Sequence, residues 1–383
     1  MHHDNSPLPL DGIRVLEFTH MVMGPTCGMI LADLGAEVIK IEPPGGDKTR
    51  NLPGLGIGFF RAFNRNKKSV VLDITTDEGR ATARELAGQC DVVVENFRPG
   101  LMQTLGLDYA SLSAHYPHLV YVSHKGFLPG PYAHRLALDE VVQMMGGLSY
   151  MTGPAGRPLR AGTSVNDIMG GMFGALGVLA ALRERDRTGK GQEIQSGLFE
   201  NCVFLASQHM QQYAMTGVAP PPMPSRVSAW SVYDVFTLAH GEQLFIGAVS
   251  DKQFTTLCQL LDHPELLDNP QYASNALRVA VRPQLLRDLG GILAGQEAAT
   301  LAPRLEAAGI PYAPIVRPDQ LLDDPHLKAS GGLVPMQMDD GSTGHTVLLP
   351  LMMSGQRPGV RRPLPKVGEH NDEILAGLGA RTA

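Results

Sequence analysis

Residues 11–42 limit the possible folds more than any other stretch of the chain. Gly12-Ile-Arg-Val-Leu-Glu-Phe18 has the short apolar run of a strand, Gly24-Pro25 interrupts it, and a periodic apolar stretch follows through Leu34. Gly35-Ala-Glu-Val-Ile-Lys-Ile-Glu42 then reads as a second strand, with Gly35 closing the helix. A β-α-β unit of this size joins two parallel neighbours by a right-handed crossover, so it predicts an α/β chain with a doubly wound sheet. The pattern recurs in Ser69-Val-Val-Leu-Asp73, a helix over Thr76–Gln89 opened by a Thr-Asp-Glu cap, Asp91-Val-Val-Val-Glu95 and His118-Leu-Val-Tyr-Val-Ser123. Ligands of such sheets lie beyond the carboxyl ends of the strands, here after Phe18, Glu42, Glu95 and Ser123.

Residues 139–215 read as mainly helical, with glycine-rich helices over Val141–Leu148 and Asp167–Arg183 and a third from about Gln195 to Tyr213. The run Pro220-Pro-Pro222-Met-Pro224 ends that block and marks a linker. Beyond it, Tyr233–Leu238 and Gln243–Ala248 predict a hairpin around His240-Gly241, followed by helices over Lys252–Leu261 and Ala298–Ala308. The expected division is therefore a large domain over 1–215, a linker over 216–230, a small α+β domain over 231–315, and a segment over 316–383 that strand-pairs and returns to the large domain.

The charge balance, 32 Lys and Arg against 38 Asp and Glu, leaves a net charge of −6 and argues against nucleic acid as a partner. No basic stretch precedes an apolar core in Met1–Pro7, so no secretion signal is expected there. The longest mostly apolar run, Ile168–Leu182, is shorter than the ~20 residues of a bilayer span and reads as a buried helix, so no membrane is expected. Cys27, Cys90, Cys202 and Cys258 are isolated from one another, which suits a reducing cytoplasm and gives no metal site.

Several motifs carry candidate chemistry. Gly54-Leu-Gly56-Ile-Gly58 follows no clear strand and lacks the spacing of a dinucleotide loop, so an oxidoreductase reading is distant. His115 and His118 lack a third metal ligand nearby. Arg61, Arg65, Lys67 and Lys68 form a basic cluster, either a solvated face or a clamp for a phosphate-bearing cofactor. Asn96-Phe-Arg-Pro-Gly100 puts an amide, an aromatic ring and a guanidinium directly after a strand, which suits a nucleotide with phosphates. Asp167 precedes the uncharged run Ile168-Met-Gly-Gly-Met-Phe-Gly, where the helix dipole and free N–H groups would favour its anion. It is either an N-cap or an ionised nucleophile that glycines leave open to substrate.

With these residues in place, the chain resembles the family III CoA-transferases, a family that includes carnitine-CoA enzymes and α-methylacyl-CoA racemases. The resemblance rests on Leu10-Asp-Gly-Ile-Arg-Val-Leu-Glu-Phe, Leu31-Ala-Asp-Leu-Gly-Ala-Glu-Val-Ile-Lys-Ile-Glu-Pro-Pro, Asn64-Arg-Asn-Lys-Lys-Ser and Asn96-Phe-Arg-Pro-Gly. It continues in Leu179-Ala-Ala-Leu-Arg, Thr188-Gly-Lys-Gly-Gln, Asp324-Pro-His-Leu and Gly368-Glu-His-Asn-Asp-Glu-Ile, covering about residues 8–376 in one order.

The resemblance implies an interlocked homodimer, a Rossmann-like large domain built from both termini, and a small domain. It implies that Asp167 is the nucleophile, forming an acyl-aspartyl anhydride and then an aspartyl-CoA thioester. CoA is implied as a substrate and product thioester with no tightly bound cofactor, lying along Met21, Val22, Met23, Leu72, Thr75, Asn96, Phe97, Arg98 and Lys125. Pro43 and Thr104 stand where some relatives carry basic residues, and the proline-rich Gly217–Trp230 stands where formyl-CoA relatives carry a glycine-rich loop. Racemase relatives place a His before an Asp-x-x-x-Gln stretch, but here Leu138 precedes Asp139-Glu-Val-Val-Gln143, and only Ser250 and Asp251 lie near the position of their glutamate. A silent acyl-CoA-binding subunit of a hetero-oligomer is the other alternative, and the presence of Asp167 weighs against it. His134, Arg135, Arg157 and Arg160 are candidate partners for a second carboxylate, as in the family's members that act on C4–C5 dicarboxylyl-CoA esters.

Overall fold

The computed structural model describes residues 8–226 and 228–379, so Met1–Pro7, read above as carrying no secretion signal, lies outside the described residues. The strands β1 (Arg14–Phe18), β2 (Glu37–Glu42), β3 (Lys67–Val71), β4 (Val92–Glu95), β5 (Val120–Lys125) and β6 (Glu193–Gly197) form one sheet in the order β3-β2-β1-β4-β5-β6. All five pairings are parallel. The chain reverses its direction of winding between β1 and β4, which makes their carboxyl ends the switch point where ligands of doubly wound sheets bind.

Side chains alternate across this sheet, and both faces are apolar. Val15, Val38, Val92, Val94, Val120 and Val122 pack beneath the helices Met23–Asp33 and Val165–Thr188, while Leu16, Phe18, Ile39, Val93 and Tyr121 pack on the opposite side with Leu86 and Ile374. A strand buried on both faces needs a continuous hydrophobic run, which is what the sequence shows. The helix Asp77–Gly88 opens as expected, with the Thr76 hydroxyl accepting from the Gly79 N–H at 3.0 Å.

Two boundaries differ from expectation. The segment expected to open a helix at Gln195 is β6, a short edge strand with mostly polar side chains; the helix Leu198–Thr216 begins after it. An edge strand half open to solvent carries little apolar signal, so composition did not reveal it. The helix expected over Val141–Leu148 is Asp139–Met145, followed after a glycine pair by Leu148–Thr152.

Val165–Thr188 is long and apolar enough to cross a membrane by length and composition, exceeding the run counted from sequence. It is packed instead as a core helix across Met23–Asp33, β5 and β6. Gly171 permits the crossing, because a Cβ there would lie 2.6 Å from the Met23 carbonyl oxygen.

One compact unit runs through Ser225 and resumes at Pro325; Arg226–Asp324 forms the other. In the second unit β7 (Val232–Thr237), β8 (Gln243–Ala248) and β9 (Tyr312–Pro314) form an antiparallel sheet, with His240 at a φ of 59° in the turn between the first two. Helices Asp251–Leu260, Arg282–Leu293 and Ala298–Ala307 bury Phe254, Leu285, Leu289 and Leu301 against it. The later segment forms an antiparallel pair, β10 (Leu333–Gln337) with β11 (Thr343–Val347), and ends in the helix Asn371–Gly379.

Candidate active site

At the switch point the turn after β1 is tied to the turn after β4. The Asn96 carboxamide donates to the His20 carbonyl at 2.8 Å and accepts from the His20 N–H at 3.0 Å, while the His20 and Phe97 rings lie 5.7 Å apart. Met21 adopts a φ of 63°, a costly conformation for a side chain with a Cβ, and its N–H donates to Thr49 Oγ1 at 3.0 Å. Val22 and Met23 are buried behind it at the start of the Met23–Asp33 helix.

Of the residues expected to line CoA, Met21, Val22, Met23, Asn96, Phe97 and Arg98 therefore gather around β1 and β4. Arg98 is exposed and forms no ion pair among the described residues. Lys125 ends the adjacent strand, but its ammonium donates to Glu95 Oε1 at 2.7 Å. Buried Glu95 also accepts from Ser123 and from the Phe97 N–H, so it joins the ends of β4 and β5, a role not apparent from the sequence. Leu72 and Thr75 follow β3, separated from β1 by β2; Leu72 lines a cleft of about 400 Å³ with Thr76, Leu375 and Leu378.

The basic cluster is neither a solvated face nor a phosphate clamp. Arg65, Lys67 and Lys68 are buried. Arg65 pairs with Asp33 at 2.6 Å, Lys67 with Glu17 at 2.8 Å, and Lys68 with Glu37 and Glu373. Only Arg61 is exposed, and it pairs with Asp340 at 2.7 Å. Burial of a charge is tolerated when a partner and hydrogen bonds accompany it, and here the partners come from distant strands and helices. The group around Glu17 underlies the β1 turn: Thr19 Oγ1 donates to Glu17 at 2.6 Å, and Lys40 donates to the Thr19 carbonyl at 2.6 Å and pairs with Asp47 at 3.0 Å.

Asp167 is the third residue of the Val165–Thr188 helix, so it is not the N-cap. Ser164 holds the cap position without a side-chain hydrogen bond. The missing acceptor comes from Asp139, whose Oδ2 accepts from the Asn166 N–H at 2.8 Å and the Asp167 N–H at 3.2 Å. Gln143 donates to the other Asp139 oxygen and accepts from the Ala161 N–H at 2.8 Å. Arg160 lies 3.7 Å from Asp139 and 3.6 Å from Glu140.

No described residue donates a hydrogen bond to the Asp167 carboxyl. Burial is the main cause that pushes its pKa up to about 7; the Asp139 charge adds to the rise and Arg160 opposes it. The expectation that free N–H groups would favour the anion is corrected by this geometry, because the first-turn donors are already occupied by Asp139. An ionised Asp167 would be a desolvated carboxylate with unengaged lone pairs, suited to attack on a carbonyl carbon.

The four candidate cations also separate. His134, Arg135 and Arg157 are exposed, and Arg135 lies over the Tyr132 ring at 5.1 Å. Arg160 is half-buried and close enough to Asp167 to influence its charge. Ser250 caps the helix Asp251–Leu260 and Asp251 is bound by Arg278, so neither is a free acid or base. Gly54–Gly58 is a 3₁₀ turn and not a loop from a strand into a long helix.

Comparison with known proteins agrees with the sequence resemblance. The family model described as CoA-transferase family III matches residues 10–371. A succinate–glutarate CoA-transferase of Agrobacterium fabrum is 36% identical over 98% of this chain and 96% of its own length. A succinyl-CoA:mesaconate CoA-transferase of Haloarcula hispanica is 34% identical over 97% of this chain and 98% of its own. The crystal structure of a CAIB/BAIF family protein from Brucella suis superposes with a TM-score of 0.88 at 34% identity, covering 97% of this chain and 100% of that one.

Proposed function

This chain belongs to CoA-transferase family III and is a CoA-transferase, and on that premise we propose that it moves CoA from a C4–C5 dicarboxylyl thioester such as succinyl-CoA to a second dicarboxylic acid, with Asp167 as the nucleophile. The observation that carries this reading is the half-buried Asp167 carboxyl, free of hydrogen bonds from the described residues, at the start of a glycine-rich helix. In the first step a carboxylate oxygen attacks the thioester carbonyl, the C–S bond breaks, and CoA leaves as thiolate. The thiolate then attacks the Asp167 carbonyl carbon of the anhydride, releasing the donor acid and leaving an aspartyl-CoA thioester. The acceptor carboxylate reverses these two steps and leaves with CoA. No water is consumed and the activation of the thioester is conserved throughout, so no nucleotide triphosphate is required.

The names of the two relatives support a dicarboxylate substrate, and half-buried Arg160, which lies against Asp139 and Glu140, would be the cation that pairs with its distal carboxylate. CoA would lie across the switch point along Met21, Val22, Met23, Asn96, Phe97 and Arg98, with Leu72, Thr75 and Lys125 on the flanking strands. A homodimer is supported by the Leu198–Thr216 helix, which leaves Phe204, Met210, Tyr213 and Met215 more than half exposed in the single chain. Four buried, unpaired cysteines support the cytoplasm as the compartment.

Turnover of succinyl-CoA with glutarate or mesaconate, set against butyryl-CoA with butyrate, tests the substrate class. Preference for the dicarboxylates is expected, and equal or faster turnover of the monocarboxylates would remove that class while leaving the transferase assignment. A racemase reading would require exchange of the α-hydrogen, for which Leu138 and the engaged Asp251 supply no acid–base pair.

A further inference from the structure

Two carboxylates meet at the start of the Val165–Thr188 helix, and their surroundings are opposite. Asp139 is buried and engaged on both oxygens: Oδ2 by the Asn166 and Asp167 N–H groups, Oδ1 by Gln143. Asp167 is partly open and accepts no hydrogen bond at its carboxyl from any described residue. Gln143 extends the hold through the Ala161 N–H to the segment that leads into the helix.

We propose that Asp139 is a positioning residue for the transfer reaction, fixing the first turn of the nucleophile's helix through two backbone N–H groups so that the Asp167 carboxyl is left free of the helix's own donors. This rests on the reading of Asp167 as nucleophile. Without Asp139 those N–H groups would be available to the Asp167 carboxylate, which would be stabilised as a resting anion and become a weaker nucleophile. The neighbouring charge acts in the same direction, since a second anion makes Asp167 more basic.

The other groups facing this helix do not supply that effect. Arg160 opposes it, and exposed Glu140 lies against Arg160. On the Leu198–Thr216 helix, Glu200 accepts from the Leu128 N–H and burial pushes the Cys202 thiol up. Burial also pushes up Cys27 on the Met23–Asp33 helix and holds His124 of β5 down at about 3, so it stays neutral.

The test uses Asp139→Asn and Asp139→Ala in the full-length protein, with kcat and KM for succinyl-CoA measured from pH 5 to 9. Asparagine keeps an acceptor for the two N–H groups and removes the charge. Its kcat should stay within about tenfold of wild type, with the acidic limb moved to lower pH by more than about half a unit. Alanine removes both and should lower kcat about ten- to hundredfold with KM little changed. Wild-type kcat in Asp139→Ala overturns the proposal; if that variant does not fold, a loss of much more than about tenfold in folded Asp139→Asn, which keeps the acceptor, overturns it instead. Equal losses in the two folded variants also overturn it. Hydroxylamine labelling at Asp167 in the wild type separates this from failure of the underlying reading: without that label the nucleophile itself is misassigned.

Discussion

The buried charges beneath the β1 turn and the carboxyl at the start of the Val165–Thr188 helix follow opposite rules. Beneath the turn Glu17, Lys40, Asp47 and Lys67 each have an ion-pair partner, and even the fully buried Lys67 is only pulled down to about 8. At the helix start Asp167 has no donor among the described residues and shares its surroundings with a second carboxylate. Paired charges fix a strained turn where CoA is proposed to lie; the unpaired carboxyl is held in a less stable state, which suits the nucleophile it is proposed to be.

The largest effect should come from Asp167→Asn, which cannot form the anhydride: transfer should fall by about a thousandfold or more, with the circular dichroism spectrum unchanged. Stability should move the other way. Because the folded chain raises the Asp167 pKa from 3.8 to about 7, it holds that proton more tightly than the unfolded chain does. The wild type should therefore lose stability relative to Asp167→Asn as pH rises through this window, with no further change above it and little difference below about pH 4. Urea melts at pH 4 and pH 8 would show it, and a variant less stable than wild type at pH 8 would place Asp167 among the paired charges.

Lys67→Ala should be the reverse case, leaving buried Glu17 without its nearest cation and with only Thr19 and the more distant Lys40, 3.6 Å away, at a cost of up to about 3–5 kcal/mol in urea unfolding. Replacing Glu17 and Lys67 together with apolar residues of similar volume should recover much of that loss. If the single and double variants lose the same stability, the pair is not what holds the turn.

Arg160→Gln should reduce the preference for succinyl-CoA over butyryl-CoA by about ten- to hundredfold, corresponding to roughly 1.5–3 kcal/mol for a charge-assisted hydrogen bond. Loss of both activities in equal measure would make Arg160 part of the Asp139 support and not the receptor for a distal carboxylate. The smallest change should be Arg61→Ala, whose exposed, solvent-screened pair with Asp340 should leave the urea midpoint nearly unmoved in the same measurement.

The parallel sheet was legible because β1, β2, β4 and β5 are apolar runs bounded by glycine or turn residues, and burial on both faces requires such runs. β6 was hidden by its polar edge position. The basic cluster was misread because the partners that bury Arg65 and Lys67 are Asp33 and Glu17, distant in sequence and joined only by folding. Asp167 was visible as a carboxylate before a glycine-rich run, but its raised pKa comes mainly from burial in the folded chain, with Asp139, contributed by a separate helix, adding to it. The spacing of Asp139 and Gln143, four residues apart on one helix, was a local signal for that contact. It could not reveal which N–H groups they hold.

The central claim is that Asp167 carries the acyl group and then CoA. Wild-type protein incubated with succinyl-CoA, treated with hydroxylamine and digested for peptide mass spectrometry should yield a hydroxamate at Asp167. The label should require the thioester and be absent from Asp167→Asn. A competent enzyme that turns over succinyl-CoA yet yields no label at Asp167, or yields it at another residue, would contradict the account.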